Sequence, residues 1–176
     1  MMKYLLTVLA LSLSLAALAN DDASPSVTLA YGDVETFRDF EYAGRSEKKT
    51  APTFTRELTQ FFSRVAPRYL SDHTLEITFT DIDLAGEIQP WRSFSNPDIR
   101  FVKSIYPPRA EFSYVLRGPD GEIAAQGDTK LVDLAFNFGV HARASSEPFY
   151  YEQEMLREWL REDISPLVKT PGDSSQ

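Results

Sequence analysis

The sequence predicts an α+β domain: a small antiparallel or mixed sheet of about four strands with two main helices, ordered β-α-β, irregular segment, β-β-α. Three observations predict it. Apolar and polar residues alternate over residues 26–31, 74–84 and 110–116, the two-residue period of half-buried strands. Phe54, Leu58, Phe61, Phe62 and Val65 recur instead at i, i+4, i+7, i+8 and i+11, the stripe of an amphipathic helix. Gly118-Pro119-Asp120-Gly121 is a strong turn signal between two strand-like runs.

Ahead of the domain, Met1-Met2-Lys3, an apolar run over 4–15 and Ala17-Leu18-Ala19 have the form of a secretory signal peptide. The run is shorter than the about 20 apolar residues that span a bilayer. The expectation is cleavage after Ala19, a periplasmic address, a single domain over residues 20–168 and a disordered tail over 169–176. After Ala19 no second long apolar run occurs, so no transmembrane segment is predicted in the mature chain.

The first strand is SVTLAY at 26–31, with Val27, Leu29 and Tyr31 on one face. Residues 32–49 are mostly polar and read as loop, with Phe37 and Phe40 placed to pin it to the core. Pro52 suits the opening turn of the first helix, and Pro67 is expected to end it. Arg56, Gln60 and Arg64 would then face water.

TLEITFTDIDL at 74–84 reads as a strand whose apolar phase switches after Phe79 to Ile82 and Leu84. A bulge near Asp81 would absorb that slip, and Gly86 closes the strand. Residues 87–108 contain Pro90, Pro97, Pro107 and Pro108 and are irregular, with a short strand or helical turn conceivable over 99–105. Residues 110–116 and 122–132 form a predicted β-hairpin. Residues 135–147 read as loop.

A final helix starts near Pro148 with Tyr151, Met155, Leu156, Trp159 and Leu160 as a narrow stripe, and Ile164 and Leu167 packing after it. Glu154–Arg157 and Glu158–Arg161 are i, i+3 pairs worth about 0.2–0.5 kcal/mol each. The first helix should cover one sheet face and the last should complete the core, leaving the other face for a partner.

Composition excludes several chemistries. The 176 residues include no cysteine, so disulfides, thiolate metal sites and a lipid-anchored cysteine are impossible. The net charge of -8 becomes -9 once Lys3 is removed with the signal, a field that disfavours nucleic acids and anionic membranes. The nearest approach to a basic run, RSEKKT at 45–50, reads as a solvated loop.

Asp81-Ile82-Asp83-Leu84-Ala85-Gly86, Pro90-Trp91, Asp98-Ile99-Arg100 and Tyr106-Pro107-Pro108-Arg109, in this order, resemble a proteobacterial exported family known as domain of unknown function 3016. The helix from Tyr151 to Trp159 resembles the end of that pattern, so the likeness spans about 26–159. The resemblance implies a periplasmic domain and supplies no activity, ligand or catalytic residue. The stretch 137–146 matches no part of the pattern.

The candidate binding residues are Asp81, Asp83, Trp91, Arg92, Asp98, Arg100, Tyr106 and Arg109. On a regular strand the Asp81 and Asp83 carboxylates share a face, about 6.5–7 Å apart at the backbone. They could hold a divalent cation or act as an acid/base pair, but calcium wants about 6–8 oxygens and no acidic loop follows. The plainer reading pairs them with arginines. Arg92, Arg100 and Arg109 suggest either an anion pocket or a network stitching the irregular segment to the sheet.

Trp91 and Tyr106 suggest an aromatic wall, although a Trp beside Pro is more often a buried loop anchor. Trp159 belongs to the core. His73 and His141 are isolated, so no metal site is predicted. No G-x-S-x-G, H-E-x-x-H or phosphate loop occurs, and Ser95 and Ser113 have no nucleophile context, so no catalytic residue or cofactor is predicted.

The expectation is a non-catalytic binding or assembly accessory module of the cell envelope, its partner an envelope protein or a small anionic ligand. The alternative is a small envelope hydrolase using Asp81 or Asp83.

Overall fold

A computed structural model describes residues 26–92, 98–138 and 147–168. The predicted signal peptide, the tail, Ser95, Pro97, His141 and most of the unmatched 137–146 stretch lie outside the described residues.

The first long element is helix α1, Glu47–Tyr69, following strand β1, Ser26–Tyr31. Phe54, Leu58, Phe61 and Phe62 are buried and Val65 is half-buried, while Arg56, Gln60 and Arg64 face solvent. The predicted proline boundaries are both wrong, because Pro52 and Pro67 lie inside the helix. Each removes one backbone bond, but both prolines sit on the exposed face where water can satisfy the freed carbonyl. The helix therefore begins within the stretch read as loop. Thr50, fully buried, explains the earlier start: its Oγ1 accepts from the Tyr42 N–H at 3.1 Å and donates to the Arg45 carbonyl at 3.1 Å.

Strand β2, Thr74–Asp83, pairs in parallel with β1 and antiparallel with β5, Arg109–Arg117. β5 pairs antiparallel with β6, Ile123–Val132, giving the mixed four-stranded order β1-β2-β5-β6. The bulge predicted near Asp81 is present: Phe79 opposes Phe112 and Asp81 opposes Glu111, leaving Thr80 unmatched. Leu75, Ile77 and Phe79 point inward before the bulge and Ile82 after it. Glu76, Thr78 and Thr80 occupy the exposed face.

Three residues beyond β2 the chain reverses at Gly86, whose φ of +84° suits a residue without Cβ. An added Cβ would also lie 2.8 Å from the Phe101 carbonyl oxygen. Beyond it, β3, Glu87–Ile88, and β4, Arg100–Phe101, make a two-stranded flap within the segment read as irregular.

Helix α2, Tyr150–Trp159, runs into a π turn, Leu160–Ile164, and a last helical turn α3, Ser165–Val168. Both predicted ion pairs form at 3.2 Å. Leu167 does not pack as predicted and is 50% exposed. The wider π turn carries the inward phase from Leu160 through Ile164 to Val168 instead. Phe37 and Phe40 are buried, as expected of loop anchors.

Residues from α1, the inner sheet face and α2 form one core, in which each fully buried Phe, Leu or Ile contributes about 1.5–3 kcal/mol. Among the described residues no helix is long and apolar enough to cross a membrane.

Candidate functional site

The bulge at Thr80 sets the orientation of the two aspartates. Beyond it Ile82 turns inward, so Asp81 and Asp83 emerge together at the end of β2. The chain at residues 38–40 runs alongside: Leu84 N–H donates to the Asp39 carbonyl at 2.9 Å, and Asp39 bridges Asp83 in parallel register.

Arg38 binds this end twice. Its backbone N–H donates to Asp81 Oδ1 at 2.8 Å, and its guanidinium lies 3.4 Å from Asp81 and 3.8 Å from Asp83. Arg109, next to Asp83 across the β2–β5 ladder, sits 3.6 Å from the same carboxylate. Burial pushes the Asp83 carboxyl up, and the Asp39 charge adds to that; Arg38 and Arg109 oppose it.

Arg100 has a different and more confined place. Both its Nη atoms engage the Asp39 carboxylate, at 3.0 and 2.7 Å, in a bidentate pair. Nη1 also reaches the Leu84 and Gly86 carbonyls at 3.3 and 2.8 Å, and Nη2 the Glu41 carbonyl at 2.6 Å. The guanidinium thus ties the flap to the end of β2 and to residues 39–41. Its donors are committed internally, apart from a buried Nε without a partner.

The other candidates are dispersed around the flap. Arg92 stacks over the Phe101 ring, 5.0 Å from its centroid. Asp98 is exposed and lies against Gly44. Tyr106 receives the Gly86 N–H at its carbonyl, while its hydroxyl meets Glu87 and Gln89. Hydrogen bonds from Gln89 and Tyr106 hold the Glu87 carboxyl below its usual range.

Trp91 is not the buried anchor expected of a Trp beside Pro: it is 67% exposed. The 3-10 turn Pro90–Arg92 puts Gln89 inward and turns the indole outward.

Beside Arg100 opens a cleft of about 200 Å³, lined by Tyr42, Leu84, Ala85, Val102 and the start of α2. Glu152 lies at its buried side, 3% exposed, its Oε1 accepting the Ala85 N–H at 2.7 Å. Burial drives the Glu152 carboxyl upward, against the Ala85 N–H and Arg100, which favour the charged form. The sequence reading missed Glu152, Asp39 and Arg38. The only available signal for Glu152 was its place in the first helical turn beside an apolar stripe.

A pH dependence follows from the upward shift of Glu152. Below the unfolded value of 4.5 both states are protonated and the neutral acid costs nothing. As pH rises through the higher folded value, the unfolded chain releases the proton more readily, and stability is lost. Glu152→Gln, which cannot ionise but keeps an acceptor for Ala85, is therefore expected to gain on wild type from pH 4.5 to 8. Urea denaturation across that range checks it, and a gap that narrows with rising pH contradicts the assignment.

A family model described as Protein of unknown function (DUF3016) matches residues 25–162. No curated protein and no solved structure matches the chain.

Proposed function

The chain belongs to the DUF3016 family of proteins of unknown function, and on that premise we propose that it is an exported, non-catalytic binding or assembly accessory module of the cell envelope. The signal-like pattern over residues 1–19 supports the address. One observation carries the binding role: the β3–β4 flap is fastened from within by Arg100 while presenting apolar side chains to solvent. Trp91 and Ile105 are 67% and 69% exposed, and Ile99 and Val102 are exposed with them. Large apolar side chains gathered on one tied-down segment fit a protein contact.

An envelope protein fits this surface better than a small anion, because the Arg100 donors that would hold an anion are already committed. The hydrolase reading has less support. Asp81 and Asp83 both pair with Arg38, and Asp83 also pairs with Arg109.

Cell fractionation with N-terminal sequencing tests the address: a periplasmic protein beginning at Asn20 is expected, and a cytosolic one beginning at Met1 overturns it. A photo-crosslinking residue at position 91, compared with one at the exposed Gln60, tests the surface in cells. A discrete adduct at 91 and none at 60 is expected. Equal labelling at both positions, or none at 91, overturns the role of the flap.

A further inference from the structure

We propose that the cleft between Tyr42, the turn after β2 and the first turn of α2 is a recognition site for an alkylammonium group. This inference does not rest on the flap reading. The cleft, at about 200 Å³, is smaller than the about 300–1,000 Å³ of drug-sized pockets, so it takes a group the size of one side chain.

Four aromatic residues line part of the space. Tyr42 and Phe149 pack with ring centroids 4.5 Å apart, and Tyr150 and Tyr151 follow on α2 at 5.5 Å from each other. Aromatic faces attract cations, and a set of them around a small cavity selects an ammonium. At the buried side stands the Glu152 carboxyl group, met by the backbone N–H groups of Ala85 and of Glu152 itself. A carboxylate offers about four acceptor positions, which leaves capacity for ammonium donors.

The cation already beside the cleft does not fill this role. Arg100 lines the cleft too, but it gives both Nη atoms to Asp39 and to three backbone carbonyls, so its charge is already paired. Burial favours the neutral form of Glu152, and an entering cation would supply the counter-charge that lets it ionise there. An anion would oppose that ionisation instead.

Backbone geometry adds an independent sign. Phe149, directly before α2, has φ 57° and ψ 30°, the left-handed region that a bulky residue rarely occupies. Its ring, packed against Tyr42 and 4.9 Å from Phe54, holds it there. That turn is what starts α2 with Tyr150, Tyr151 and Glu152 beside the cleft, and such strain gathers at ligand clamps.

Calorimetric titration of the purified protein with n-butylammonium, n-butanol and butyrate tests the site, with the Ala85 amide followed by NMR. Saturable n-butylammonium binding that shifts the Ala85 signal is expected, with butanol at least tenfold weaker and butyrate not binding. Glu152→Gln should fold and lose at least tenfold in affinity; Tyr150→Leu, which keeps an apolar wall without a π face, should lose at least threefold. The peptide acetyl-Gly-Lys-Gly-amide separates sources: tenfold tighter binding than butylammonium identifies a lysine side chain, and equal binding a small amine. Butanol or butyrate binding as tightly as butylammonium, or wild-type affinity in Glu152→Gln, overturns the proposal.

Discussion

Phe54→Ala is expected to lower the unfolding free energy by about 4 kcal/mol, the largest loss from any single truncation considered for this fold. The side chain is 1% exposed and is a hub. Its ring lies 5.1 Å from Phe40, 6.0 Å from Phe79, 4.9 Å from Phe149 and 6.5 Å from Tyr31, all edge-on or nearly so. Those partners come from β1, the loop before α1, β2 and the turn before α2, so the cavity would open where four segments meet.

Truncating a buried phenylalanine costs about 3–5 kcal/mol in all, its edge-to-face ring contacts included. For a domain of this size that corresponds to a melting temperature lower by roughly 8–16 °C. Phe54→Leu, which keeps most of the volume, should cost less than half as much. Urea denaturation of the three proteins checks the order. A loss below about 2 kcal/mol for the alanine variant would mean that the surrounding rings collapse into the space.

Phe54 was legible in the sequence because its stripe repeats with the helical period, and the same holds for most of the fold. Alternation located β1, β2 and β5, the turn signal over 118–121 placed β6 as the hairpin partner, and the phase slip from Phe79 to Ile82 located the bulge at Thr80. Helix ends were less legible. Proline is locally a helix breaker, but exposed Pro52 and Pro67 forfeit only bonds that water replaces. Leu167 was misplaced because a π turn has no signature in a 3.6-residue period.

The site was legible only in part. Arg100 was singled out, but its partner Asp39 is 61 residues away, and Glu152 meets Ala85 across 67 residues. Pairing at such separations follows from topology, and no local pattern encodes it. Trp91 shows the converse. Residue type favoured burial, and the 3-10 turn decided otherwise by giving the inward position to Gln89.

Arg100→Met should lower the unfolding free energy by about 3 kcal/mol. The wild-type side chain is 12% exposed and its Asp39 partner 30%, so the pair is shielded without being sealed, and the lower end of the 3–5 kcal/mol range for a broken buried pair applies, at about 3. Methionine fills much of the same space, which separates lost hydrogen bonding from lost packing. The Asp39 carboxylate would remain half-sheltered without its counter-charge, and the Leu84, Gly86 and Glu41 carbonyls would each lose a donor. Arg100→Lys should recover little, because a point charge cannot reproduce the fork that spans both Asp39 oxygens. The double variant Asp39→Asn with Arg100→Met should be more stable than Arg100→Met alone, since it removes the stranded charge. If Arg100→Met instead melts with wild type, while phosphate stabilises only the wild-type protein, the guanidinium serves a bound anion and the internal network is not what holds the flap.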